Sequence, residues 1–105
     1  MKISVYIIAF NEADKIRDCI NSALWADEII VADSNSTDGT TEIAESLGAK
    51  VVHIPFDGYG NLRNKAISYC TKDWILSLDS DERCTEAVRD EILSLIKVTS
   101  IDIFK

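Results

Sequence analysis

The sequence predicts an α/β fold, a mostly parallel sheet sandwiched by helices. Strand-like and helix-like segments alternate four times along the chain. The first strand-like segment is apolar almost without interruption, as a strand covered on both faces requires. Polar clusters also follow the strands rather than precede them, and in open parallel sheets ligands bind beyond the strands' carboxyl ends.

Ile3 to Phe10 (ISVYIIAF) is rich in β-branched and aromatic residues and forms the first predicted strand. Ala13 to Leu24 follows with Ile16, Cys19, Ile20, Ala23 and Leu24 at helical spacing. Glu28 to Asp33 (EIIVAD) is the second strand, and Thr40 to Leu47 the second helix, ended by Gly48. Lys50 to Ile54 is a third strand stopped by Pro55. Leu62, Ala66, Ile67 and Cys70 mark a third helix over Leu62 to Cys70. Trp74 to Leu78 is the fourth strand and Glu86 to Ile96 the fourth helix, with Thr85 as its N-cap. Lys97 to Lys105 alternates weakly, as the start of a further strand would. The expectation is one domain over residues 1–105, cut short of its full extent.

At 105 residues the chain has room for one core. Its longest apolar run, Ile7 to Phe10, is too short to span a bilayer, and no signal peptide is read at its start. A cytoplasmic location is expected. Three cysteines, Cys19, Cys70 and Cys84, match neither a disulfide framework nor a zinc site in their spacing. A net charge of −7 argues against nucleic acid or an anionic membrane as partner, since both require clustered Lys and Arg. It leaves room for a phosphate-bearing substrate, because a divalent cation held by carboxylates presents positive charge.

Asp79-Ser80-Asp81-Glu82 is the sharpest local signal, with a buried strand delivering three carboxylates within four residues. Like charges so concentrated call for compensation. Mg²⁺ or Mn²⁺ supplies it with one or two carboxylates, leaving positions for water and phosphate oxygens. A solvated turn preceding the Thr85 cap is the other reading.

Asp33 to Thr40 (DSNSTDGT) fails as a calcium loop, having Asp38 where glycine is needed and Ala44 where glutamate is needed. It reads as a strand-to-helix connection with Ser36 or Thr37 as cap. Asp33 is then either part of that turn or free to accept hydrogen bonds from a ligand base. No G-x-G-x-x-G or phosphate loop is present, since the first turn reads Asn11-Glu12-Ala13-Asp14. Gly58, Gly60 and Arg63 form a lesser cluster, a Gly-Tyr-Gly loop leading into a helix start where arginine suits phosphate. A solvated surface arginine is the alternative. His53 is placed away from the acidic edge, and Trp25 and Trp74 in or beside the core. No Ser-His-Asp or Cys-His set supports covalent catalysis.

The segments IIAFNEADKIRDCINSAL, DEIIVADSNSTDGTTEIAESLGAKVV and GNLRNKAISYCTKDWILSLDSDE, in this order, resemble the N-terminal half of inverting family 2 glycosyltransferases. Within that family they look most like the bacterial branch that adds a sugar, often glucose, to the lipopolysaccharide inner core. The resemblance covers the chain to about Ile96. It implies the Rossmann-like half of a glycosyltransferase type A fold, a uridine-based nucleotide-diphosphate sugar donor, a Mn²⁺ or Mg²⁺ cofactor and a glycan or lipid-linked acceptor.

It also implies site residues. Ala9, Phe10, Asn11 and Glu12 match the first-strand motif around the nucleoside, although proline is common at the position of Ala9. Asp33 matches the aspartate that bonds the base, and Arg63 and Asn64 match the Arg-Asn pair near the donor. Asp79 and Asp81 match the DxD pair, with Asp81 the direct metal ligand, Asp79 near the ribose and metal, and Ser80 counted with the donor site. The family's general base lies beyond this segment, so none is assigned and the chain alone is expected to transfer sugar poorly. A peripheral position at the inner membrane is the further expectation, through parts outside the chain. A nucleotidyltransferase-like domain and an inactive truncated module are the competing readings, the former weakened by the acidic first turn.

Overall fold

The computed structural model describes residues 2–98. Its elements run β1 (Ile3–Ala9), α1 (Ile16–Asn21), β2 (Glu28–Asp33), α2 (Thr40–Ser46), β3 (Lys50–His53), α3 (Tyr59–Ser68), β4 (Trp74–Asp79) and α4 (Glu86–Val98). The four strands form one sheet in the order β3-β2-β1-β4, and each pairing is parallel. The start of a further strand, expected over Lys97 to Lys105, falls in α4 for its first two residues and otherwise outside the described residues.

β1 is central, and its alternating side chains enter two separate cores. Val5, Ile7 and Ala9 pack with Ile16, Cys19 and Ile20 of α1 and Ala44 of α2. Tyr6 packs on the opposite face with Ile30 and Ala32 of β2 and Leu62 and Ala66 of α3. Both faces of β1 are therefore dry, which accounts for its unbroken apolar sequence. β4, at one edge, is wetter, with Ser77 and Asp79 exposed.

Several local boundaries differ from expectation. α1 is shorter than Ala13 to Leu24 because the chain tightens after Asn21: Ser22 Oγ donates to the Cys19 carbonyl and Trp25 Nε1 to that of Ser22. α3 begins at Tyr59 rather than Leu62, so only Gly58 of the Gly-Tyr-Gly segment lies outside the helix, at φ 84°, where glycine is favoured. Arg63 consequently sits in the second turn. The N-cap of α2 is Gly39, at φ 90°, and neither Ser36 nor Thr37 caps it. Thr85 does cap α4, its Oγ1 accepting from Val88 N–H at 3.2 Å.

Candidate functional site

Strand order reverses at β1, since β2 and β3 build outward on one side and β4 joins the other. A crevice at the carboxyl ends of β1 and β4 is the expected ligand position for such a sheet. The two ends of the sheet treat polar groups differently. At the amino ends, the Glu28 carboxylate accepts from Ser4 Oγ, Thr71 N–H and Thr71 Oγ1, and Ser4 Oγ accepts from Lys72 N–H. At the carboxyl ends, carboxylates are left open.

The open ones lie on the turn after β4. Glu82 is not among them: its Oε1 accepts from Asp79 N–H at 2.9 Å while its own N–H donates to the Asp79 carbonyl at 2.8 Å. Glu82 thus closes the turn, and the Cys19 thiol donates to the same Asp79 carbonyl at 3.4 Å. Burial, together with the charges of Glu82, Asp81 and Asp79, pushes the Cys19 thiol up to about 12. Among the described residues no hydrogen bond or ion pair engages the Asp79 or Asp81 carboxylate.

Both aspartates line a cavity of about 400 Å³ with Ile8, Phe10, Glu12, Tyr59, Arg63 and Ser80. Arg63 likewise has no ion pair among the described residues. A cavity of about 330 Å³ adjoins it, sharing Ile8, Phe10 and Tyr59 and adding Ser34, Phe56 and Leu62. Phe56 and Tyr59 meet edge to face, centroids 5.0 Å apart. Phe10, Phe56 and Tyr59 are all more than half exposed, so this is an open aromatic surface rather than core.

The turn after β1 is shaped by hydrogen bonds from the segment after β2. Asn11 N–H donates to Ser36 Oγ at 2.8 Å, Glu12 N–H to Thr40 Oγ1 at 3.1 Å and Ala13 N–H to Asp38 Oδ2 at 3.1 Å. In return Thr37 N–H donates to Asn11 Oδ1 at 2.8 Å. Asn11 and Asn35 take φ of 51° and 62°, left-handed conformations that asparagine tolerates. Thr40 Oγ1 also donates to Asp38, and this bond lowers the Asp38 carboxyl below its ordinary range. The polar run 33–40 is therefore a clamp on the first loop as much as an entry to α2.

Of the residues singled out from sequence, Phe10, Glu12, Arg63, Asp79, Ser80 and Asp81 line the larger cavity. Ala9 is buried, its carbonyl accepting from Ser34 N–H, and Asn11 is engaged in the clamp. Asn64, exposed on α3, lines neither cavity. Asp33 is not free as expected: it is fully buried, and its carboxylate accepts from Ser36 N–H at 2.8 Å and from Ser36 Oγ. His53 is not remote either, because β3 aligns it with Asp33 and brings its Nδ1 within 3.9 Å of Oδ2. Sequence reasoning missed Ser34, Phe56 and Tyr59. Aromatic residues flanking the Gly58 turn were the available signal for the last two.

The donor set suits a hard divalent cation, which takes one or two carboxylates and completes its shell with water and phosphate. Among the described residues no three His, Cys, Asp or Glu side chains gather into a metal-binding group.

Residues 4–103 match the family described as Glycosyl transferase family 2. The chain belongs to that family. A Rickettsia bellii protein named uncharacterized glycosyltransferase is 52% identical over 92 residues, which is 87% of this chain and 31% of that protein. The lipopolysaccharide core biosynthesis glycosyltransferase LpsC of Rhizobium meliloti is 31% identical, covering 91% of this chain and 37% of LpsC. TarS of S. aureus, solved in complex with UDP, superposes with a TM-score of 0.76 at 29% identity, over 92% of this chain and 32% of TarS. Glucosyl-3-phosphoglycerate synthase of Mycobacterium tuberculosis, solved with Mn²⁺, UDP and glucosyl-3-phosphoglycerate, gives 0.67 at 33% identity, over 75% of this chain and 33% of the synthase. The chain thus spans about a third of the length of these relatives. Among the described residues no helix of this family 2 member is long and apolar enough to cross a membrane.

Proposed function

We propose that the chain is a single nucleotide-sugar-binding domain, the donor-binding part of an inverting glycosyltransferase that uses a uridine diphosphate sugar. The observation that carries this reading is the pair of adjoining cavities at the strand switch: one has an open aromatic wall, the other two unengaged aspartates and an unpaired arginine. A flat base suits the first and a diphosphate the second. The Mn²⁺ of the mycobacterial synthase complex and the UDP of both solved relatives support it.

In this reading Asp81 and Asp79 hold a divalent metal, which when bound neutralises the diphosphate as it departs. Arg63 adds a fixed positive charge to the same cavity, and Phe10 and Tyr59, which line both cavities, flank the nucleoside. Glu12 faces the same space from the first loop, held there through its N–H to Thr40. The base that deprotonates the acceptor hydroxyl is assigned to a segment beyond the donor half. The setting is a cytoplasmic enzyme acting on lipopolysaccharide core or another envelope glycan, and LpsC supports the lipopolysaccharide part of that reading.

Calorimetric titration of UDP into the chain, with and without Mn²⁺, tests the proposal. Binding that needs the metal and is abolished by Asp81→Ala is expected. Absence of UDP binding under either condition would refute it, and strong preference for a nucleoside triphosphate would favour nucleotidyl transfer instead.

A further inference from the structure

The turn after β4 is tied at both ends to α1 and the residue that follows it. At its start the Asp79 carbonyl accepts from the Cys19 thiol at 3.4 Å, and at its far end Cys84 N–H donates to Ser22 Oγ at 2.9 Å. Arg83 pairs with Asp18 at 2.8 Å, and Ser80 is buried. None of these ties reaches the amide of Asp79, where the strand becomes the turn.

Glu82 makes that connection. Its Oε1 accepts from Asp79 N–H while its own N–H donates to the Asp79 carbonyl, so one residue closes a ring across Ser80 and Asp81 through both side chain and backbone. Asp79 and Asp81 line the larger cavity, whereas Glu82 lines neither. Two carboxylates that converge on one cation lose conformational freedom when it binds, and a backbone already held in the receiving shape removes part of that cost. The bond from Asp79 N–H to Glu82 is exposed, so its loss costs the fold little while freeing the turn.

We propose that Glu82 is a positioning residue for the cation-binding pair, bracing Asp79 and Asp81 through its acceptor oxygen rather than through its charge, and is not itself a metal ligand. The inference rests on the reading of Asp79 and Asp81 as the residues that hold the metal. Glutamine separates the two roles, because its side-chain oxygen still accepts from Asp79 N–H although the charge is gone.

The test compares the wild-type chain with Glu82→Gln and Glu82→Ala. Mn²⁺ is titrated into each and the free ion followed by electron paramagnetic resonance, while NMR reads the hydrogen exchange of the Asp79 amide without metal. Glu82→Ala is expected to weaken Mn²⁺ binding about tenfold and to speed exchange at Asp79. Glu82→Gln should stay within about threefold of the wild type, the effect of one exposed charge, and keep the amide protected. Equal weakening by Gln and Ala would overturn the proposal, since charge or ligation would then be the cause. Unchanged Mn²⁺ affinity in Glu82→Ala, or equal exchange in all three proteins, would overturn it as well. So would loss of the helical circular dichroism in Glu82→Ala, which makes Glu82 a support of the fold rather than of the pair. Failure of the wild type to bind Mn²⁺ at all is the distinct result that removes the underlying metal-site reading, and this inference with it.

Discussion

Replacing Thr40 by valine tests whether the polar run after β2 clamps the loop after β1. Thr40 is fully buried and its hydroxyl has two partners, accepting from Glu12 N–H at 3.1 Å and donating to Asp38. Valine keeps the shape and removes both bonds. Asp38 is exposed, so water replaces the hydroxyl there at little cost. Glu12 N–H is only partly accessible, and loss of its acceptor costs about 1–2 kcal/mol. With a urea dependence of about 1–1.5 kcal/mol per molar for a chain of this size, the unfolding midpoint should fall by roughly 1 M. Thr40→Ser, which retains the hydroxyl, is the control that separates the bond from the methyl group. Equilibrium unfolding followed by tryptophan fluorescence reads both variants. A Thr40→Val midpoint equal to that of the wild type, or a Thr40→Ser midpoint lowered as far as that of Thr40→Val, would refute the clamp.

Cys19 and the reach of the chain give the remaining predictions. Because burial and the Glu82, Asp81 and Asp79 charges raise the Cys19 thiol from 9.0 to about 12, the folded state favours the protonated form. Its stabilisation is complete below pH 9.0 and is lost as pH rises from there toward about 12. Denaturation midpoints of Cys19→Ala should therefore fall less steeply over that range than those of the wild type, and equal slopes would contradict the assignment. The same protonation should make Cys19 slow to react with iodoacetamide at pH 8 until the chain unfolds, as mass spectrometry of the labelled peptide will show. Finally, the 105-residue chain should bind donor without efficient sugar transfer; rapid turnover by purified protein of this length would place the base within it.

Much of this architecture is legible in the chain because its signals are local. The β2 boundaries follow directly from EIIVAD between polar turns, and β1 from apolar residues on both of its faces. The acidic turn is visible too, and the family resemblance already sets Asp79 and Asp81 apart from Glu82. The structure supplies the physical difference: Glu82 bonds back to Asp79 N–H, whereas the two aspartates remain open. Non-local pairings were the hidden part. Nothing in DSNSTDGT reveals that Ser36, Asp38 and Thr40 receive the N–H groups of a loop some 25 residues earlier. The alignment of His53 with Asp33 likewise depends on the register of β3 against β2, which no local pattern specifies. Tyr59 falls in the expected loop because the apolar stripe of α3 starts only at Leu62.

That clamp carries a consequence for how the fold handles anions. In dinucleotide-binding and phosphate-loop proteins, the turn after the first strand aims its backbone N–H groups at phosphate. Here the N–H groups of Asn11, Glu12 and Ala13 already have acceptors within their own protein. The first turn has exchanged an anion cradle for rigidity. Under the proposed function, positive potential must come from Arg63 and from a cation recruited by the aspartates. Donor capture then becomes a readout of free divalent metal in the surroundings, and a chelator would release the donor without ever touching the protein.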